Sequence, residues 1–535
     1  MWRALAACSC LTLTAHAAEP SLTHIHPVAI QQGTTVAVAL NGKFDPWPCR
    51  VWVDEPGIEF KPGKDAGTFD VSVPAGARPG PHLIRAFNDD GASAPISMMV
   101  ETAPQVIEKE PNDDPRVPQV VEGPSAVING RLDKNGDIDG CQIAVQKGQT
   151  LVVRIEANVL ASEADMMLRV TDAGGNVLAF NHDHTCMDPF LAFTAPQDGR
   201  YTVQAMGHKY PASSELHFTG GPGCPYRLHL STEATVRNAW PLAIQRGTRA
   251  QITAEGWNLT ASPVELDSAA PLPFPILLTD VPEFLAAADP PPLTIPCGVS
   301  GRLETPGDED RFTFHAAKDA AWRFLLTGPS HGSTIDPLLR ILGPDGKELA
   351  ASDDEAGFSE AALIWKSPAD GDYSAVVSDR TQQGGPDYFY HLAVTQPAPS
   401  VSGTIAVHSV KVEAGKPAEI KVSVGVANGW QKKLKLIAKN LPAGVTAPEQ
   451  DVPEQGGEVK LALTADAAAA RATQPLTLVL REMEGGAEHE VQFSLVSGGE
   501  NNGVPQGYQR LLINATGQLW LTVVPAPSPA QAACL

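Results

Sequence analysis

A chain that repeats itself has to fold as a string of like units, and this one repeats at two spacings. The segment Pro27-Val28-Ala29-Ile30-Gln31-Gln32-Gly33-Thr34 returns 214 residues later as Pro241-Leu242-Ala243-Ile244-Gln245-Arg246-Gly247-Thr248, and Gly42 keeps that offset with Gly256. A second set returns after 171 residues. In it Gly130-Arg131-Leu132 matches Gly301-Arg302-Leu303, Gly136-Asp137-Ile138-Asp139 matches Gly307-Asp308-Glu309-Asp310, Asp165 through Val170 matches Asp336 through Ile341, and Asp183 matches Asp354. After a slip of one residue, Pro196-Gln197-Asp198-Gly199-Arg200-Tyr201 matches Pro368-Ala369-Asp370-Gly371-Asp372-Tyr373. The order is therefore A–B–A′–B′ plus a remainder. The offsets differ by 43 residues, so A′ is shorter than A by about that much. The stretch from Thr235 to Thr279 is too short for a sandwich core of its own, and A′ is expected to be a partial domain or to lean on B′.

Within the units, apolar and polar residues alternate at period two with β-branched and aromatic enrichment, as in Leu151-Val152-Val153-Arg154-Ile155, Tyr201-Thr202-Val203-Gln204-Ala205 and Tyr373-Ser374-Ala375-Val376-Val377. Gly, Pro, Asp and Asn separate these runs, and Gly and Pro number 47 each, so turns are frequent. The pattern predicts an all-β chain of tandem β-sandwich domains, immunoglobulin-like and jelly-roll-like. The expected divisions are a signal peptide over 1–18, unit A over 19–102, unit B over 103–232, the partial A′ over 233–280, unit B′ over 281–397, a C-terminal immunoglobulin-like module over 398–524 and a flexible tail over 525–535. Helical candidates are confined to Pro282–Ala288 and Ala465–Ala472, each too short to form a layer.

The first residues, one arginine, a short apolar run and Ala15-His16-Ala17, read as a secretory leader cleaved near Ala18. No later stretch approaches the length of a transmembrane span, so an exported product is expected, periplasmic, cell-surface or secreted. Acidic residues outnumber basic ones by 22, which argues against nucleic-acid partners and anionic lipid and for a cation. Beyond the leader six cysteines remain, and in an oxidising compartment an even count predicts at least one disulfide among Cys141, Cys186 and Cys224.

Units B and B′ resemble the bacterial pre-peptidase C-terminal (PPC) domain. The resemblance rests on Glu110-Pro111-Asn112-Asp113-Asp114, Gly130-Arg131-Leu132, Gly136-Asp137-Ile138-Asp139, Asp165-x-x-Leu168-x-Val170 and Asp198-Gly199-Arg200-Tyr201 in B. In B′ it rests on Asp336-Pro337-Leu338-Leu339 and Asp370-Gly371-Asp372-Tyr373. The A segments are similar, more weakly, to TIG-type immunoglobulin folds, and 402–496 to bacterial surface immunoglobulin-like modules. PPC domains are β-sandwiches that trail secreted protease catalytic domains, and some bind calcium. The resemblance implies a binding or accessory module without catalysis, whose partner is an extracellular or cell-surface polymer, protein or polysaccharide, or a secreted hydrolase.

The linker Glu108-Lys109-Glu110-Pro111-Asn112-Asp113-Asp114 is dense in carboxylates, and calcium takes six to eight hard oxygens. In calcium-binding PPC members the ligands come from this linker and from the Gly-Asp-x-Asp turn. The resemblance therefore implies Glu108, Glu110, Asn112, Asp113, Asp137 and Asp139 as the metal candidates. The plain alternative is a solvated turn-rich linker. B′ has Val281-Pro282-Glu283-Phe284-Leu285 at this place, without the Glu-Pro-Asn element, and calcium is not expected there. A second ligand-rich run, His182-Asp183-His184-Thr185-Cys186, reads either as a transition-metal loop or as a polar turn. No His-Glu-x-x-His or Gly-x-x-x-x-Gly-Lys occurs, and every long segment is taken by a sandwich, so no catalytic residue is expected.

Overall fold

A computed structural model describes residues 18–184, 187–211, 214, 217–260, 263–270, 272, 276–354, 360–496 and 510–526. The expected leader, the tail beyond Ala526, Cys186 and Cys534 lie outside the described residues. Among the described residues the secondary structure is β throughout, apart from two three-residue 3-10 turns at Asn158–Leu160 and Pro329–His331. The strands assort into several separate sheets, as tandem β-sandwich domains require.

Unit B is two five-stranded sheets. One orders Val106–Ile107, Ser125–Arg131, Pro225–Ser231, Thr150–Glu156 and Phe190–Thr194; the other orders Gln119–Val120, Asp139–Val145, Gly199–Lys209, Ala164–Thr171 and Val177–Asn181. The inward residues of both, among them Ile143, Leu151, Val153, Leu168, Val170, Val203 and Leu228, are fully buried in one cluster. Burying each such side chain is worth about 1.5–3 kcal/mol, which fixes the register because a one-residue slip would turn the whole set to solvent. B′ repeats the scheme with a strand for each of these but Gln119–Val120: Glu283–Leu285, Cys297–Arg302, Phe389–Thr395, Ala321–Thr327 and Ala361–Lys366 in one sheet and Glu309–Ala316, Gly371–Asp379, Pro337–Leu342 and Glu348–Ser352 in the other. The helix expected over Pro282–Ala288 is instead the strand Glu283–Leu285, paired in parallel with Cys297–Arg302. That ladder outweighs the helical preference of the alanines that follow it, Ala286 to Ala288.

Unit A is also two sheets, one of Ser21–His26, Thr35–Lys43, Thr68–Ser72 and Glu59–Pro62, the other of Ala29–Gln31, Ile96–Glu101, Gly80–Asn88 and Arg50–Val53. A′ keeps Thr235–Trp240, Ala243–Gln245 and Arg249–Trp257 at the 214-residue offset. In A, Ala29 pairs with Met99, and in A′ the matching Ala243 pairs with Leu277, an offset of only 178. Most of the shortening therefore falls inside A′. Among the described residues nothing in A′ takes the place of Arg50–Val53 or Gly80–Asn88. What remains has four buried core residues, Ala239, Ile244, Ile252 and Leu266, and it leans on B′. Arg302 Nη2 donates to both oxygens of Glu255 at 3.0 Å while its guanidinium lies 4.8 Å from the Trp240 ring centroid. The amide of Leu242 donates to Ser300 Oγ at 3.0 Å, as the amide of Ala29 donates to Asn129 Oδ1 at 2.9 Å in the first copy.

The strand that A′ lacks has a use in A. Gly80–Asn88 carries Arg85 and Phe87 against the C-terminal module, whose strands run from Ser400–Thr404 to Leu519–Val524. Trp520 packs at 5.0 Å from Phe87 and 6.1 Å from Trp52, ring centroid to ring centroid. Arg85, fully buried, donates to the carbonyls of Ser93 at 2.7 Å and of Gln518 at 2.6 Å. The first and last modules are thereby clamped together, and a buried guanidinium tied to carbonyls is costly to strip of its partners.

The expected disulfide is not formed. Cys141 and Cys224 are free thiols inside the core cluster of B, and Cys49 and Cys297 are likewise free and buried. They pack as small apolar side chains, which the cysteine count alone does not distinguish from bridge halves. Burial pushes the thiols of Cys49 and Cys224 up to about 11 and that of Cys297 up to about 12. These four thiols should be inert to a disulfide reagent in the folded protein at neutral pH and reactive only on unfolding, and reductant should leave the thermal midpoint where it was.

Candidate metal centre

The linker enters unit B from Val106–Ile107, which lies parallel to Ser125–Arg131, and the amide of Glu108 donates to the Asn129 carbonyl at 3.0 Å. The chain then folds back over the turn that precedes Asp139–Val145. In that turn Gly136 adopts φ +90°, which glycine reaches without strain, and Asp137 Oδ2 accepts the amide of Asp133. Asp139 opens the strand and faces inward, buried. B′ builds the same turn from Gly307, at φ +79°, with Asp308 Oδ2 accepting the amide of Glu304 at 2.8 Å. The repeated Gly-Asp-x-Asp is thus first a turn motif, and what sets B apart is the linker laid over it.

One carboxylate oxygen from each of Glu110, Asp113, Asp137 and Asp139 lies within 4.8 Å of the others. In the same residues Asp113 Oδ1, Asp137 Oδ1 and Asp139 Oδ1 are shielded from solvent and receive no hydrogen bond. The other two candidates do a different job. Glu108 accepts from Asn112 Nδ2 at 3.0 Å and the Tyr226 hydroxyl at 2.9 Å on one oxygen, and from the Arg131 amide at 2.8 Å on the other. Asn112 donates its amide to Glu110 at 3.1 Å and accepts the Gly140 amide at 3.3 Å. Glu108 and Asn112 are therefore the frame, and Glu110, Asp113, Asp137 and Asp139 present the oxygens.

Two members were not anticipated from sequence. Tyr226, fully buried, donates to both Glu108 and Asp139, the latter at 2.8 Å. Lys134 Nζ stands 3.0 Å from Asp113 Oδ2 and 3.5 Å from Asp137 Oδ1. The sequence did carry a sign of the tyrosine: a glycine inside a strand marks a close approach, and a Cβ on Gly130 would lie 2.2 Å from the Tyr226 ring.

One ammonium does not balance the acids. Burial, followed by the neighbouring Glu108, pushes the Asp139 carboxyl up to about 10. Burial also raises Glu108, Asp137 and Glu110, whereas the hydrogen bond from Lys134 holds Asp113 below the usual carboxylate range. An all-oxygen set drawn from two chain segments, crowded enough to hold protons at neutral pH, is suited to a hard divalent cation. In B′ the amide of Ala286 donates to Ser300, as that of Glu108 does to Asn129, so an alanine stands in the place of Glu108. Asp310 there accepts the Tyr390 hydroxyl, with no acidic linker over it.

The second ligand-rich run is rearranged relative to expectation. Asp165 joins His182 and Asp183 in a cluster, while His184 turns away and stacks on Phe190 at 5.0 Å between centroids. Thr185 and Cys186 are outside the described residues.

No family model matches the chain, and no curated protein matches it. Among solved structures, a periplasmic inhibitor of g-type lysozyme, PliG of Aeromonas hydrophila, is 17% identical, over 24% of this chain and 98% of its own, with a TM-score of 0.16. The M60 catalytic domain of Clostridium perfringens ZmpB with its CBM51 domains is 8% identical, over 72% of this chain and 55% of its own, with a TM-score of 0.15. Domains 4–9 of the surface layer protein SbsC are 11% identical, over 90% of this chain and 66% of their own, with a TM-score of 0.11. Scores of this size carry no argument about role.

Proposed function

We propose that this is an exported, non-catalytic binding or presentation protein, a tandem array of sandwiches in which calcium, held by the first PPC-like unit, stiffens the joint between A and B. One observation carries the calcium reading: Glu110, Asp113, Asp137 and Asp139 each bring a carboxylate oxygen within 4.8 Å of the others, and Asp113 Oδ1, Asp137 Oδ1 and Asp139 Oδ1 are shielded from solvent without a hydrogen bond. The ligands come from both sides of the joint, Glu110 and Asp113 from the linker and Asp137 and Asp139 from the body of B. An ion between them ties the linker down, and its binding energy becomes folding energy. Presentation of loops on rigid sandwiches, to an extracellular polymer or a secreted hydrolase, is the use this architecture serves. Among the described residues no helix is long and apolar enough to cross a membrane.

The test is a thermal scan of the full-length protein with and without calcium. Calcium at about 100 times its dissociation constant should stabilise the B unit by about 2.7 kcal/mol. For a unit of this size that is a shift of about 8 °C or more in its transition. A midpoint that does not move, together with no heat in a calorimetric calcium titration, removes the proposal.

A further inference from the structure

The cluster at the far edge of unit B is built from three strand ends. Asp165 begins Ala164–Thr171, His182 and Asp183 follow Val177–Asn181, and His208 is nearly the last residue of Gly199–Lys209, directly across the ladder from Asp165. Asp165, His182 and Asp183 each place one ligand atom within 4.8 Å of the others. His182 Nε2 and Asp165 Oδ1 face each other at 3.3 Å as an ion pair, both atoms shielded from solvent and neither with a further hydrogen-bond partner. Ligands about 2.0–2.1 Å from a tetrahedral ion stand about 3.3 Å apart, so this pair already has the spacing of two corners of a zinc site. His208 has its Nδ1 engaged by the His217 carbonyl at 3.3 Å. That contact leaves Nε2 as the nitrogen with a lone pair; His208 stands outside the three converging ligands, and its turn towards them is part of the proposal.

The duplicate supplies the comparison. By strand register, B′ has Asp336 for Asp165, Asp353 for His182, Asp354 for Asp183 and Arg380 for His208. There the cation is covalent: the Arg380 guanidinium is ion-paired with Asp353, and the Arg380 amide donates to the Asp336 carbonyl at 2.8 Å. B has exchanged both members of that ion pair for imidazoles while keeping the two acids. In B an imidazole takes over the pairing, His182 standing 3.3 Å from Asp165 and 3.7 Å from Asp183, and both replacement groups are nitrogen donors.

We propose that Asp165, His182, Asp183 and His208 form a second metal site, one that takes zinc. The donor set separates it from the oxygen-only centre of the linker, because imidazole with carboxylate suits zinc and its neighbours in the first transition row rather than calcium. The site does not depend on the calcium reading.

The experiment uses the full-length, metal-stripped protein titrated with zinc chloride, and with cobalt chloride as a visible probe. One zinc per chain is expected, and bound cobalt should show the intense d–d bands of tetrahedral coordination. His182→Gln and Asp165→Asn should each weaken zinc binding about a hundredfold and bleach the cobalt bands. His184→Ala and Asp139→Asn should leave both unchanged, the first because its ring is stacked on Phe190, the second because it belongs to the other centre. Unaltered circular dichroism of His182→Gln shows that the loss is of a ligand and not of the fold, with His208→Asn as the second variant should it misfold. Failure to take up zinc, or uptake that His182→Gln and His208→Asn both leave intact, overturns the proposal.

Discussion

Asp139→Asn is expected to remove the calcium-induced rise in melting temperature while leaving the calcium-free protein at neutral pH as stable as the parent, or more so. The asymmetry follows from the charge state of the site. With its carboxyl pushed up to about 10 by burial and by Glu108, Asp139 is protonated at neutral pH without a cation, and an asparagine copies that form. The amide oxygen still accepts from Tyr226, and the amide nitrogen can donate to Glu108 as the acid proton does. Calcium, by contrast, needs the carboxylate, and losing one charged ligand should weaken it by about two orders of magnitude, since ligand charge count is what tunes such sites. The same protons set the pH dependence. A carboxyl whose folded pKa is raised stabilises the fold at low pH and gives that stability up as pH climbs from the ordinary carboxylate range, about 4, towards the raised value. Across that window calcium must displace the protons, so its affinity should rise by about tenfold per pH unit for each proton released. Thermal scans at pH 5, 6, 7 and 8 read both effects. A calcium shift that is flat with pH, or that survives in Asp139→Asn, contradicts the assignment.

The fold class and the tandem layout were legible because both rest on periodicities that local sequence carries: alternation at two residues gives strands, and offsets of 171 and 214 residues give the copies. The linker acids were legible as a group because they crowd into one short segment, Glu108 to Asp114. What stayed hidden was decided by partners far along the chain. Glu108 and Asn112 look like ligands in the linear sequence, yet Arg131, Gly140 and Tyr226 engage them as scaffold. The short segment at Glu283–Leu285 has no strand signal of its own and becomes one only against Cys297–Arg302. The cysteines could not declare themselves, because a buried thiol and a half-cystine share the same apolar surroundings. Nor does any local pattern mark Gly80–Asn88 as the strand that receives the C-terminal module; the clue is its absence from A′, and that clue needs the structure to be read.

The glycine repeated at positions 130 and 301 supports a second large effect, best tested in B′, where no metal enters. Gly301 pairs with Tyr390 across the ladder, and a Cβ built on it would stand 2.2 Å from both the ring Cζ and the hydroxyl oxygen. Tyr390 is fully buried, and its hydroxyl donates to Asp310, whose carboxyl burial pushes up. Ring and backbone cannot both stay where they are once a methyl group is added. Displacing the ring overpacks the core, at about 1–3 kcal/mol, and strips the buried acid of its donor, at about 1–3 kcal/mol more. Gly301→Ala should therefore cost about 2–6 kcal/mol and lower the thermal transition of B′ specifically, with hydrogen exchange accelerating over Cys297–Arg302 and Phe389–Thr395. The steric origin is separable from any intrinsic preference of the strand for glycine by a double-mutant cycle. Tyr390→Ala is itself destabilising by cavity formation, but in that background the added methyl group has room, and Gly301→Ala should cost less than about 1 kcal/mol. If the two losses instead add in full, the close approach of Tyr390 is not what holds a glycine at this position.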